Sequence, residues 1–599
     1  MKRAFALAGL LCATIACEAR PRVEQGSSTA SEPQAPSLGE NRVLEFDVST
    51  GAPEATGGGL FAMPATRTFA GLVRALQRGL EEKTTSAVFV KLGGQAFTLA
   101  QAEEVGGLLE RYTKKKIPVV CHGHTYVNST AAMALRGCTR RWLSPAGSLD
   151  SIGIAAQLVY MKGLFDKLHV EVDMLHMGRY KSGAEPLTRE GPSDDARANL
   201  TETLGAIRQG WLASAGESEQ RVLLEQGPFA PEEAKANGLV HSLGFETEAL
   251  AEARKLGGVE AVSVAFGPRA GAGKDFDISE IVRVISGAEE GSNRPHVAIV
   301  PAEGSIAMEP GGPFDSGGIS YRALSKTLKK LSKDDSVKAV VLRIDSPGGS
   351  ALASDLLWHE VMEIQKKKPV VASVGGMAAS GGYYIACAAQ RIFAEPTSIV
   401  GSIGVFGGKI VFAPALAEFG VNTFTFPASP APGADARATY LSPFSRWDDA
   451  TRERVQAQLK GVYDLFVARV AAARKLPNET VNEHAQGRIY GAAQALDRKL
   501  IDQLGGLESA LAEARKLAKL EDDAPVTVEG ASESLLELLT VGEDASEAEI
   551  AAAVARVRAK QKLGLEDLPE RLRPFAAALG PLLEGERVVA AVPFAVSLE

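Results

Sequence analysis

The chain has 599 residues, 45% of them hydrophobic and 23% charged, with a net charge of −8. A single hydrophobic core does not organise a chain this long, so about three or four domains are expected. The acidic balance and the scattered Lys and Arg argue against a nucleic-acid partner. Lys114, Lys115 and Lys116 close a helical pattern, where cations favour the helix C-terminus.

Residues 1–17 read as a targeting segment: Lys2 and Arg3 precede a short apolar run that ends in small residues. That run is shorter than the roughly 20 apolar residues a bilayer span needs. Thr14-Ile15-Ala16-Cys17 is similar to a bacterial lipoprotein cleavage box, with Thr14 where leucine is usual, so Cys17 is the expected lipidation site. Residues 18–41, rich in Ser, Pro, Glu and Gly, read as an unstructured tether. Past Cys17 stand Cys121, Cys138 and Cys387, whose spacing suggests neither a disulfide framework nor a metal-ligand set. Catalytic chemistry is therefore expected from other side chains, with no metal and no organic cofactor.

The body repeats itself. Pro118, Pro145 and Ser151-Ile152-Gly153-Ile154 recur as Pro369, Pro396 and Ser402-Ile403-Gly404-Val405, each at an offset of 251. Residues 234–240 likewise parallel 493–501. Each copy alternates short β-branched strands (87–91; then 296–300, 339–344 and 370–374) with helical patterns such as 320–331 and 353–366. That alternation predicts an α/β fold of right-handed β–α–β units on a mostly parallel sheet, with sites at the carboxyl ends of strands. The domains expected are 42–290 and 291–520. A C-terminal extension, 521–599, contains a strand at 525–528, Ala/Leu/Glu-rich helices and an apolar strand at 587–596; no chemistry is assigned to it.

Chemistry concentrates in the second copy. Ser380 stands where the strand 370–374 gives way, after two glycines, to an Ala-rich helical segment; Gly381 and Gly382 let backbone approach a substrate, and the first N–H groups of a helix lack intrahelical partners. Alone, Ala-Ser-Gly-Gly reads first as a glycine turn packed on a sheet; its companions reverse that reading. Asp345-Ser346-Pro347-Gly348-Gly349 also follows a strand directly, so one cleft can hold both turns. The first copy has Ser129 opposite Ser380 without the glycine pair, and Leu92-Gly93-Gly94 in place of the Asp-Ser-Pro-Gly-Gly. It carries instead Gly178-Arg179-Tyr180-Lys181-Ser182-Gly183-Ala184-Glu185-Pro186, which the second copy lacks. By itself Lys181 reads as a solvated surface charge, although no histidine stands near Ser380 to act as its base.

Together these motifs, with Gly-Gly-Met-Ala-Ala-Ser-Gly-Gly-Tyr and Gly-Ser-Ile-Gly, resemble signal peptide peptidase A (protease IV, peptidase family S49) in its long tandem-repeat bacterial form, over about residues 42–520. The resemblance implies tandem ClpP/crotonase-like domains and a serine endopeptidase without cofactors. It implies Ser380 as nucleophile, Lys181 as general base and Ser402 as the hydroxyl that orients it. Gly348 or Gly349, with the amide of Gly381, would form the oxyanion hole. It further implies cleaved signal peptides and other unfolded hydrophobic peptides as substrates, a bowl-shaped homotetramer, and a body anchored at a membrane on the periplasmic side of a bacterial envelope. Met377, Tyr383 and Phe406 are candidate walls of apolar pockets, or core residues. Two alternatives stand beside this reading: a crotonase-type acyl-CoA enzyme, and a catalytically inactive membrane-associated scaffold.

Overall fold

The structure is a computed structural model, and it describes residues 41–54, 68–94, 97–259, 262–263, 294–309, 318–530 and 589–591. The expected targeting segment, Cys17 and the tether before Asn41 lie outside the described residues, as does most of 521–599. Among the described residues no helix is long and apolar enough to cross a membrane.

The first copy builds a parallel sheet from β1 (Arg42–Asp47), β2 (Thr85–Leu92), β3 (Val119–Val127), β4 (Arg140–Asp150), β6 (Ser242–Leu243) and β7 (Val262–Ser263), in the order β6-β4-β3-β2-β1-β7. The second copy repeats it. Its path is β17 (Ile489–Gly491), β15 (Ile399–Gly401), β13 (Val370–Ala379), β11 (Val337–Ser346), β8 (His296–Glu303) and β19 (Val526–Val528), with β17 antiparallel to β15; β14 (Arg391–Ala394) lies beside β13 and β18 (Gln503–Leu504) beside β14. The registers carry the duplication: Val120 pairs with Arg140 and Val371 with Arg391, both displaced by 251. Strand β19 pairs parallel with β8 as β7 does with β1, so the second sheet extends past residue 520 and the strand at 525–528 has a repeat counterpart after all.

Sequence chemistry explains these elements. The core of β11, Val-Val-Leu-Arg-Ile, is buried on both faces, the environment in which parallel strands lose their polar alternation. The helix Tyr321–Lys333 presents Ala323, Leu324, Leu328 and Leu331 to that sheet; its first turn is capped by the Ser320 hydroxyl, which accepts from the Ala323 N–H at 3.3 Å.

A third sheet joins the copies, in the order β10 (Ile319–Ser320), β9 (Ile306–Ala307), β12 (Gly348–Ser350), β20 (Val589–Ala591), β16 (Val405–Val411) and β5 (Glu171–Met177). Strand β5 of the first copy runs antiparallel to β16 of the second, from Val405 opposite Met177 to Val411 opposite Glu171. This pairing brings the Gly178–Lys181 turn to the start of β16, beside Ser402. The copies also share a core: Ala379, Ile399 and Ile489 pack in the same cluster as Leu76, Trp211 and other first-copy residues. Across this interface the fully buried Arg343 guanidinium donates to both oxygens of Glu54, at 2.7 and 3.0 Å.

One expectation fails. Cys121, near the start of β3, and Cys138, just past the helix Asn128–Gly137, form a disulfide with their Cα atoms 5.9 Å apart. The helix returns the chain to the strand's starting end, so 17 residues of separation become contact in space. Cys387 is the free, buried cysteine among the described residues.

Candidate active site

Strand β13 runs five residues beyond the apolar Val370–Val374 run and ends at Ala379. Ser380 follows with φ 55° and ψ −113°, a conformation that side chains other than hydrogen rarely adopt, and the helix Gly381–Ala386 begins at once. The reversal is held by backbone bonds: Ser380 N–H donates to Gly401 O at 2.7 Å, and Tyr384 N–H to Ser380 O at 2.8 Å. A Cβ on Gly382 would stand 2.7 Å from the Ser346 carbonyl, so the second glycine lets this helix start pack on the Asp345–Gly349 turn. Below it, Asp345 ties its own turn to β13 by accepting from the N–H groups of Gly376 (2.9 Å) and Met377 (3.1 Å). Burial pushes its carboxyl up to about 6.

Lys181 reaches this turn from the other copy. Its Nζ lies 2.7 Å from Ser380 Oγ, 3.0 Å from Ser402 Oγ and 3.1 Å from the Ser402 carbonyl. Ser380, Lys181 and Ser402 are all buried, and desolvation lowers the lysine's pKa well below its ordinary value. Ser402, like Ser380, holds a positive φ, 54°. The lysine expected to be solvated on local grounds is thus enclosed with the serine.

The glycines expected to form the oxyanion hole lie on the helix that follows Ser380 and on β12, which packs against it. Gly381 opens the helix directly after Ser380, where N–H groups lack intrahelical acceptors. Gly348 has φ 100°, which calls for glycine, and its N–H donates to Ser346 Oγ at 3.2 Å. Gly349 packs edge-on against Ile306 of β9, leaving no room for a Cβ. Of the candidate pocket walls, Tyr383 is a core residue whose hydroxyl donates to the Leu500 carbonyl at 2.8 Å. Phe406 is buried against Ala184 and Met174, while Met377 stays half-buried. Ser129 opens the helix Asn128–Gly137 in the first copy, where the neighbouring Asn128 carboxamide caps Ile152 and Gly153 instead.

Sequence reasoning missed two groups. Asp345, part of a glycine motif in the sequence, is also the link between its turn and β13. The turn Gln486–Arg488 carries no motif of its own, yet it bonds both the lysine segment and Ser402; its neighbour Ile489 is clasped by Asn199.

Two stretches, residues 111–260 and 362–521, match the profile of peptidase family S49, and together they cover over half of the chain. The first contains Lys181, the second Ser380 and Ser402. The chain belongs to peptidase family S49. Residues 319–400 also match the Clp protease profile, in agreement with the α/β fold expected of each copy. Among relatives, Protease 4 of Salmonella typhi is 31% identical over 75% of this chain and 72% of its own length. Protease 4 of Haemophilus influenzae is 28% identical over 70% of this chain and 68% of its own. The chloroplastic serine protease SPPA of Arabidopsis thaliana is 31% identical over 65% of this chain and 57% of its own. Membership of S49 makes the protein a serine peptidase, and sets it apart from the acyl-CoA enzymes.

Proposed function

We propose that this S49 peptidase cleaves peptides with a dyad assembled across its two copies, Ser380 as nucleophile and Lys181 as general base. The observation that carries the reading is the buried Lys181 amine at 2.7 Å from Ser380 Oγ. A neutral amine has two N–H donors and one lone pair. With the donors spent on the carbonyl and hydroxyl oxygens of Ser402, the lone pair is left to face the Ser380 hydroxyl.

Ser380 donates its proton to Lys181 Nζ as Oγ attacks the peptide carbonyl carbon. The tetrahedral intermediate collapses by breaking the C–N bond, and the Lys181 ammonium returns the proton to the departing amine. Water, deprotonated by the same lysine, then hydrolyses the ester and restores the Ser380 hydroxyl. The amide of Gly381, with one from the Gly348–Gly349 turn, would face the developing oxyanion, each contributing roughly 3 to 4 kcal/mol.

The substrate class we propose is unfolded apolar peptide, including cleaved signal peptides. An extended backbone fits beside the glycine turn: Val589–Ala591 lies antiparallel between Gly348–Ser350 and Phe406, as an added strand would. We further propose a homotetramer anchored at the periplasmic side of a bacterial membrane through residues 1–17, with Cys17 as the lipidation site. Phe419, Phe424 and Phe426 are 84, 79 and 90% exposed, an apolar surface that other copies would cover. Light scattering of the body against a variant with Phe424 and Phe426 changed to Ser tests the assembly.

The test of the mechanism is hydrolysis of a fluorogenic apolar peptide by the protein lacking residues 1–17, beside Ser380→Ala and Lys181→Ala. Both folded variants are expected to lose activity by at least a thousandfold. Full activity in Lys181→Ala would place the base elsewhere. Failure of the unmutated protein to cleave peptide or react with a serine-directed probe would favour the inactive scaffold.

A further inference from the structure

We propose that the turn Gln486–Gly487–Arg488 is the positioning element of the dyad: it locks the Lys181 segment onto the Ser402 segment and shuts water away from the lysine. The inference rests on the reading of Lys181 as base, and concerns residues that bond the Lys181 and Ser402 segments rather than Ser380.

Four backbone-anchored bonds make the lock. Toward the first copy, the Tyr180 N–H donates to Gln486 O at 2.7 Å and the Arg179 N–H to Gln486 Oε1 at 3.3 Å. Toward the second, the Ser402 N–H donates to Arg488 O at 2.6 Å and the Gly487 N–H to Ile403 O at 2.8 Å. Three consecutive residues therefore hold the neighbours of the base on one side and Ser402 itself on the other. Gln486 and Gly487 both have left-handed φ, 57° and 79°, which turns the chain sharply enough to serve both sides.

The contact is too close for side chains. A Cβ on Gly487 would stand 2.5 Å from both N and Cα of Lys181, one on Gly178 2.6 Å from the Gln486 carbonyl carbon, and one on Gly404 3.1 Å from Lys181 Cδ. Backbone is thus packed directly around the lysine stem, and this packing is what removes its water. The turn is braced in turn. Gln486 Nε2 donates to Tyr463 Oη (2.9 Å) and Asn482 Oδ1 (2.7 Å), and Asn199 of the first copy grips Ile489 by both its N–H and its carbonyl. Arg488 covers the outside: its guanidinium lies 4.0 Å from the Tyr180 ring centroid and donates to the Tyr180 hydroxyl.

The charged and titratable groups on the elements around Lys181 are Arg179 with its partner Asp195, Tyr180, Arg488, Glu185, His176 and His484. Desolvation holds the lysine's pKa down, so loosening the lock lets water return and raises it. A base must be neutral to act, so activity rises with pH through that pKa.

The experiment is the pH profile of kcat/KM, measured on the body with an apolar fluorogenic peptide, for wild type, Arg488→Ala, Arg488→Lys and Tyr180→Phe. Arg488→Ala is expected to move the acid limb up by about one unit, a loss of roughly tenfold below the limb that recovers at higher pH. Tyr180→Phe, which keeps the ring and the fold but removes the bond from Arg488, should move it less in the same direction, and Arg488→Lys should restore part of the shift. KM should change less than kcat. Arg498→Ala is the control, because Arg498 sits 4.5 Å over the Tyr490 ring without bonding the lysine segment, and its profile should match wild type. Limbs of Arg488→Ala and Tyr180→Phe superimposable on wild type, at whatever absolute rate, would overturn the proposal. The separate loss of activity in Lys181→Ala would still stand for the dyad.

Discussion

Lys181 Nζ and Ser380 Oγ lie 2.7 Å apart in a buried site although 199 positions separate them in the chain. Each copy supplies one of the two side chains, and burial at their junction lowers the lysine's pKa well below its ordinary value.

That depressed pKa has a cost to stability whose sign follows from linkage. The folded-state pKa of Lys181 is depressed, so between that pKa and about 10.4 the unfolded chain binds a proton that the native state has shed. Stability from this group therefore rises with pH through the window. Wild type should gain on Lys181→Met by up to about 1.4 kcal/mol per pH unit as pH climbs toward 10. Urea denaturation across that range measures it, and parallel curves for the two proteins would rule it out.

Ser380 is held at φ 55° and ψ −113°, where glycine fits without strain. Both Ser380→Ala and Ser380→Gly remove the hydroxyl, but only the second relieves the backbone. Ser380→Gly should be more stable than Ser380→Ala by about 1 to 2 kcal/mol. Equal melting temperatures would show that the turn is not strained.

Glu103 of the first copy meets Thr397 of the second, accepting from its hydroxyl at 2.9 Å and its N–H at 3.3 Å, with Glu104, Glu395 and Arg136 around it. Burial pushes its carboxyl up to about 7. A raised carboxyl pKa contributes stability that is present below about 4.5 and is lost as pH rises through about 7. Glu103→Gln keeps an acceptor for Thr397 without the charge. It should exceed wild type at pH 8 by at most about 3 kcal/mol, with the gap closing toward pH 4.5. A variant less stable than wild type at pH 8 would contradict this.

The Cys121–Cys138 bridge closes a loop of 17 residues, and a loop of that size restrains the unfolded chain by about 3 kcal/mol. The double Cys→Ala variant should lose roughly 2 to 4 kcal/mol of stability. In the protein lacking residues 1–17, alkylation under denaturing conditions should label one thiol, Cys387, before reduction and three after. Three labelled thiols without reduction would show the bridge absent.

The sequence by itself determined the duplication, the α/β character of each copy and the glycine turn at Ser380. These are local signals. Apolar runs such as Val370–Val374, helical periodicity and the glycines around Ser380 act on neighbours a few residues away, and their offset of 251 reappears in the strand registers. Lys181 was different: nothing local distinguishes it from a surface lysine, and only its likeness to a known motif singled it out. The tertiary structure decided that it is buried, because the water around it is displaced by backbone from the other copy, at Gly404 and Gly487. For the same reason the disulfide, the Asp345 link and the Gln486–Arg488 turn were not legible. Each depends on which distant segments the packed sheets bring together, and on how little room is left between them.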